Sequence, residues 1–200
     1  MVDSVVADIS AGDDWTAPGV FEVATGVYRV PLPLPNDGLR AGNGYVLRAE
    51  DGLVLIDSGW AIAEARTTLD AALAALDASV ADVRRFLVTH VHRDHYTQAV
   101  HLRRELGVRV SLGAGERHSL ELVMRQDWDG RAERLNHLRR LGAKDLADTL
   151  AKLPGPRVEE NDWELPDDWL HSGQEVQHGE RTLQVVETPG HTRGHVIFHD

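Results

Sequence analysis

Residues 87–99 read LVTHVHRDHYTQA, which places three histidines and an aspartate within the six residues 90–95, directly behind an apolar run. A packed core gains nothing from such a cluster, because each buried imidazole or carboxylate needs a partner of its own. The segment is either a solvated, histidine-rich loop or a metal site. The preceding RFLV reads as a strand, so the polar residues begin where a strand leaves its sheet, and open α/β folds build sites there. His90 and His92, two residues apart, can turn nitrogens to one point in an extended loop. Asp94 and His95 point elsewhere and suit a second ion, and two ions about 3.5–4 Å apart can share a hydroxide.

A second motif strengthens the metal reading. In VVETPGHTRGH, residues 185–195, another strand ends in a Pro-Gly turn that carries His191. A third imidazole there leaves a fourth position open for water, the mark of catalytic rather than structural zinc. Cysteine is absent, so ligands are limited to nitrogen and oxygen, which suit zinc, iron or manganese; disulfides and a cysteine nucleophile are excluded. The formal net charge of -11 argues against a charge-driven grip on nucleic-acid phosphates. The acidic N-terminus lacks the basic and apolar pattern of a signal peptide, and no apolar run has the length of a membrane span. The expectation is a cytoplasmic protein acting on a small molecule, with no nucleic-acid or membrane partner.

Strands and helices alternate along the chain. VFEVATGVYRVPL holds two short β-rich runs around Thr25 and Gly26, and YVLRAEDGLVLIDSG predicts a hairpin turning at Asp51-Gly52 in a type I′ turn. Ile62, Ala65, Leu69, Leu73 and Leu76 share one helical face. After the strand VRRFLVTH, the segment QAVHLRRELG predicts a helix closed by Gly107, followed by the strand VRVSLG. Residues 116–153 predict a helical insertion, with leucine stripes at Leu135, Leu138, Leu141 and at Leu146, Leu150, Leu153, ended by Pro154-Gly155-Pro156. Residues 159–168, rich in acid, read as a surface loop, and the remaining residues return to strands with a turn at His178-Gly179. Together these predict one α/β (α+β) domain over residues 20–200, preceded by an extension over residues 1–19.

With these residues in place, the chain resembles the metallo-β-lactamase-fold hydrolase superfamily. THVHRDH matches its H-x-H-x-D-H signature, TPGHTRGH its downstream histidine, and VLIDSG and GNGYVL its strands ahead of the motif. The resemblance implies an αβ/βα sandwich with two metals at one edge. It implies His90, His92 and His191 as ligands of the first metal, Asp94 and His95 as ligands of the second, and Asp57 as a carboxylate that orients a ligand loop. It also implies two zinc ions in a complete site, with iron or manganese as alternatives. Two departures are visible. Tyr96, Thr97 and Gln98 stand where the family often has glycines, so the loop is bulkier and Thr97 is a candidate helix cap. The family's bridging aspartate and last histidine would fall beyond Asp200, so the second half of the sandwich is expected to be incomplete here.

The implied chemistry is hydrolysis: a hydroxide made at near-neutral pH attacks an ester, thioester or lactone carbonyl, with Asp94 orienting the nucleophile. Hydroxyacylglutathione-hydrolase-like, thioesterase and lactonase members look most similar. A mononuclear iron oxygenase acting on a thiol or persulfide, and a nucleic-acid-processing nuclease, are the other classes the scaffold supports. Tyr96 and His195 are candidates for the pocket wall, with a backbone-bonded strand-start histidine as the other reading of His195. Arg103, Arg104 and Arg109 read as a solvated face, and His101, His118 and His137 as surface or capping residues. Trp128, Trp163 and Trp169 either shape a lid or pack the insertion. Ser58 lacks the G-x-S-x-G turn of a serine nucleophile.

Overall fold

A computed structural model describes residues 14–35, 38–125, 129–153 and 162–200. Strands β1 (Phe21–Ala24), β2 (Val27–Pro33), β3 (Ala41–Ala49) and β4 (Gly52–Ile56) run antiparallel, and β5 (Val83–Val88), β6 (Arg109–Gly113) and β7 (Asp168–Leu170) continue the sheet in parallel. Helix α1 (Ala63–Ala74) links β4 to β5, and α2 (Arg93–Leu106) links β5 to β6. Between β6 and β7 lie α3 (Arg117–Val123), α4 (Gly130–Arg140) and α5 (Lys144–Lys152). A second, antiparallel sheet contains β8 (Glu175–His178), β9 (Arg181–Glu187) and β10 (Val196–His199), in the order β10-β9-β8.

The central strands read as nearly unbroken apolar runs because both of their faces are covered. Successive side chains alternate between two cores. Val46, Leu53, Leu55, Phe86 and Val88 pack with Leu69 and Leu73 of α1 and with Ala99, Val100 and Leu102 of α2. Leu47, Val54 and Leu87 face the other way, onto Val176, Leu183, Val185 and Val196 of the small sheet. Helices, large sheet and small sheet thus form three layers. The mixed α/β sandwich expected from the sequence is present, and the stripe Ala65, Leu69, Leu73, Leu76 is buried as its spacing requires. Gly107 closes α2 in the left-handed conformation, at φ 72°.

Several local expectations need correction. The β3–β4 hairpin turns at Glu50-Asp51, because Ala49 pairs with Gly52, and neither turn residue has the positive φ of a type I′ turn. Part of the acidic stretch is ordered into the sheet rather than looping over the surface. Asp168 opens β7 because Arg85 and Arg109, from the two preceding strands, each hold its carboxylate at 2.6 Å. The arginine face stays at the surface, with Arg104 and Arg109 exposed, but its charges are paired. Arg103 pairs with Glu164 and Asp167, Arg104 with Glu164, and His101 with the buried Asp162 at 2.9 Å. The two oppositely charged segments neutralise one another and strap residues 162–168 across α2.

The leucine stripes of the insertion are not core either. α4 and α5 pack mainly on each other, Leu141, Leu146 and Leu153 are exposed, and Ala147 is the one fully buried side chain of that hairpin. Trp163 stacks on Tyr96 with ring centroids 6.1 Å apart, and Trp169 packs on the helical core beneath Arg117, so both serve packing. Trp128, Pro154-Gly155-Pro156 and residues 159–161 lie outside the described residues, as does the first part of the N-terminal extension. No helix among the described residues is long and apolar enough to cross a membrane.

Candidate metal centre

Three chain segments meet at the carboxyl ends of β4, β5 and β9. The first is the turn after β4. Asp57 adopts a left-handed conformation, at φ 59°, which a short polar side chain tolerates. Its backbone N–H donates to the Leu87 carbonyl, and its buried carboxylate accepts from the Thr89 N–H at 2.8 Å and from the Thr89 hydroxyl. The ends of β4 and β5 are thereby held together. Ser58 joins this turn to α2: its hydroxyl donates to the His95 carbonyl and accepts from the Ala99 N–H, while the Gln98 side chain donates to the Ser58 carbonyl.

The second segment is residues 89–95. His92 stands at the N-cap position of α2, and Asp94 and His95 lie in its first turn. The Thr89 hydroxyl gives its proton to Asp57 and can accept the His90 Nδ1–H at 2.9 Å, which leaves His90 Nε2 bare. His95 donates from Nδ1 to Asp57 at 2.8 Å, and its Nε2 lies 3.4 Å from Asp94 Oδ2. One carboxylate therefore sets the ring orientation of two histidines, directly for His95 and through Thr89 for His90.

The third segment is the loop between β9 and β10, which carries His191. The Val196 N–H donates to the Thr89 carbonyl across the two sheets, and the Thr188 N–H to the His195 carbonyl. The Thr192 hydroxyl donates to the fully buried Glu116, whose other oxygen, Oε2, has no partner among the described residues. Gly113, Gly115 and Gly194 allow this contact: a Cβ on Gly194 would lie 2.2 Å from the Glu116 nitrogen and 2.4 Å from the Gly115 carbonyl carbon.

These constraints bring three imidazoles to one point. His90 Nε2 is 3.1 Å from His92 Nδ1, and His191 Nε2 is 3.0 Å from the same atom. The ligand atoms of His90, His92 and His191 all lie within 4.8 Å of one another. Two donors about 2.1 Å from one tetrahedral ion would be about 3.4 Å apart, so the spacing fits a shared ion. The protonation pattern fits as well, since ligation requires neutral rings. Burial, followed by the charge of His95 and crowding by the other rings, lowers the His90 pKa to about 2, and burial with His191 nearby also lowers that of His92. At His95 burial opposes the charged form, but hydrogen bonds to Asp57 and Asp94 outweigh it and push the pKa up to about 10. Burial likewise raises Asp94, and the His95 contact overrides it, holding Asp94 down to about 2. The space between Asp57 and Asp94 is built for positive charge, whether a proton on His95 or a cation beside it supplies that charge.

Among the sequence candidates, His90, His92, Asp94, His95, His191 and Asp57 are assembled at this point. His195 lies beside them, its ring centroid 5.2 Å from that of His90 and its Nδ1 2.8 Å from the Thr188 hydroxyl, so its ring is held by a side chain rather than by backbone. Tyr96 is not at the pocket wall. It is fully buried, stacked on Trp163, and its hydroxyl donates to the Glu164 carbonyl at 2.7 Å, because a residue one step past His95 turns to the core side of α2. Thr97 is inside α2 rather than capping it, accepting from the Ala61 N–H and donating to the Arg93 carbonyl. Sequence reasoning missed Thr89 and Glu116. Thr89 is adjacent to the motif and could have been questioned; Glu116 meets Thr192 from 76 residues away, and no local signal marks it.

Residues 37–200 match the metallo-beta-lactamase superfamily. Among solved structures, a metallo-beta-lactamase family protein from Thermus thermophilus is 27% identical with a TM-score of 0.70, over 89% of this chain and 56% of that one. A beta-lactamase domain protein from Burkholderia ambifaria is 29% identical with a TM-score of 0.67, over 94% of this chain and 53% of that one. The class B3 di-zinc metallo-beta-lactamase LRA-12 from an Alaskan soil metagenome, 18% identical, shares the fold with a TM-score of 0.63, over 96% of this chain and 62% of that one. The chain spans a little over half the length of these relatives. No curated protein matches it.

Proposed function

The chain belongs to the metallo-beta-lactamase superfamily, and from that premise we propose that it is a metal-dependent hydrolase that cleaves an ester, thioester or lactone of a small molecule. The observation that carries this reading is the convergence of the His90, His92 and His191 nitrogens within 4.8 Å, beside the Asp94–His95 pair. His90, His92 and His191 would hold one zinc ion, and Asp94 and His95 would face a second. Zinc bound there would supply Lewis acidity for the carbonyl and bring the pKa of a water near 7. Asp94, kept ionised beside His95, would orient the attacking water through a carboxylate oxygen. Asp57 and Thr89 would hold the two ring orientations through the reaction, and the His191 loop, clamped by Glu116, would close the third side.

Metal analysis of the purified chain, followed by assay of ester, thioester and lactone panels before and after chelation, tests this proposal. Zinc uptake with hydrolysis that chelation abolishes, and that His191→Ala removes, is the expected result. Folded protein that takes up no metal would overturn it. About one iron per chain with oxygen-dependent thiol oxidation would replace hydrolysis by the oxygenase reading.

A further inference from the structure

Arg93 lies between His92 and Asp94, and its guanidinium lies over the Trp60 indole, 4.1 Å from the ring centroid. Trp60 is a fixed platform. It follows Asp57, Ser58 and Gly59 in the turn joined to α2, and the next residue, Ala61, donates its N–H to Thr97. Stacking on an aromatic face holds a guanidinium flat without using its forked N–H donors, which remain free for a planar oxyanion.

In a chain with a net charge of -11, many arginines are met by carboxylates: Arg66 by Asp70 and Glu105, Arg85 and Arg109 by Asp168, Arg103 by Glu164 and Asp167. No carboxylate of the described residues pairs with Arg93, which is exposed. The N-terminus of α2, fourteen residues long, ends at the same place with no side-chain cap, adding the positive end of a helix dipole. The exposed Arg93 guanidinium therefore stands without a carboxylate partner among the described residues, one position from the candidate ligands His92 and Asp94.

We propose that Arg93, stacked on Trp60, is a docking site for an oxyanion group of the substrate, a carboxylate or a phosphate, and that the substrate is an anionic acyl compound. Its scissile carbonyl lies toward the histidines and its anionic group toward Trp60. This inference rests on the hydrolase reading for its substrate class, but the anion site itself is testable without turnover.

Succinate and inorganic phosphate are titrated into the zinc-loaded protein, into the chelated protein and into Arg93→Gln, with binding followed by calorimetry and zinc content measured in each sample. Saturable binding that weakens about tenfold or more in Arg93→Gln at unchanged zinc content is the expected result, with Arg93→Lys intermediate because it keeps charge but loses the planar fork. Whichever of the two anions binds tighter names the group. In hydrolysis, an ester carrying a free carboxylate is expected to exceed its neutral methyl-capped analogue in kcat/KM through KM, and that ratio is expected to fall in Arg93→Gln. Anion binding that is equal in the wild type and Arg93→Gln would overturn the proposal. If no ester is hydrolysed at all, the hydrolase reading fails, while the binding comparison still decides whether Arg93 holds an anion.

Discussion

Asp57→Asn tests the centre most sharply, because it changes one oxygen to a nitrogen and leaves shape and backbone alone. Asparagine tolerates the left-handed conformation at φ 59° as aspartate does, so local strain does not confound the result. The new amide can keep one oxygen toward the Thr89 N–H, but it then turns an NH2 toward His95 Nδ1, where the carboxylate accepted at 2.8 Å. Two donors now face each other unless the imidazole moves its proton to Nε2, the atom that faces Asp94. That tautomer cannot ligate a metal through Nε2. A hydrogen bond to a charged group contributes about 1.5–3 kcal/mol, equivalent to about 10- to 150-fold in affinity, and orienting partners of metal ligands typically account for about 10- to 100-fold. Zinc titration against a competing chelator should show the ion that engages His95 weakened by about 10- to 100-fold. The three-histidine position should lose less, because Thr89 still bonds His90. Circular dichroism melts of the metal-free variant check that the fold persists. Folded Asp57→Asn that binds every zinc ion as tightly as the wild type would refute the assignment of Asp57 as the residue that sets these ring orientations.

Three further perturbations separate the centre from its surroundings. Gly194→Ala places a methyl 2.2 Å from the Glu116 backbone nitrogen, which cannot yield as a side chain would, so thermal melts should show a loss of about 1–3 kcal/mol and zinc binding at His191 should weaken with it. Tyr96→Phe removes a hydroxyl that donates to the Glu164 carbonyl; a loss of about 1 kcal/mol in urea unfolding with zinc affinity unchanged is expected, and weakened zinc binding would return Tyr96 to the site. The pKa of Asp168 is raised by burial but lowered further by Arg85 and Arg109, so its folded value lies below the unfolded one of 3.8. Its stabilisation is therefore present above about pH 4 and lost as pH falls below it, and Asp168→Asn should remove about 1 kcal/mol at pH 7 while flattening the acid limb of the unfolding midpoint against pH.

What could be read from the sequence followed the range of each interaction. The candidate ligands at residues 90–95 share one strand end and one helix start, so spacing alone singled them out, and the Pro-Gly turn marked His191 in the same way. The alternation that sends Leu47, Val54 and Leu87 to one core and Val46, Leu55 and Phe86 to the other was legible only as continuous apolar runs, because both faces are buried. β7 was hidden by its charge: Asp168 at the start of a strand is acceptable because Arg85 and Arg109 reach it from two other strands. The leucines of α4 and α5 misled in the opposite direction, since helical spacing shows that a stripe exists and not that anything covers it. Glu116 was invisible for the same reason as β7, its partner Thr192 being distant in the chain.

The candidate ligands are divided unequally between rigid and less constrained supports. His90, His92, Asp94 and His95 stand on a strand end and helix start held by Asp57, Ser58 and Gln98, all buried and all hydrogen-bonded. His191 stands on a loop of the small sheet, tied to the large sheet by the Val196–Thr89 bond, the Thr192–Glu116 contact and the apolar layer of Leu47, Leu87, Val185 and Val196. A zinc ion held by His90, His92 and His191 would therefore be a cross-link between the two sheets. Its binding energy would add to sheet-to-sheet packing, since a ligand that binds the folded state alone stabilises that state by mass action. The converse also holds: loosening the inter-sheet core, as Val185→Ala would, should weaken zinc at the three-histidine position although Val185 touches no ligand, because positioning His191 then draws on the ion's own binding energy.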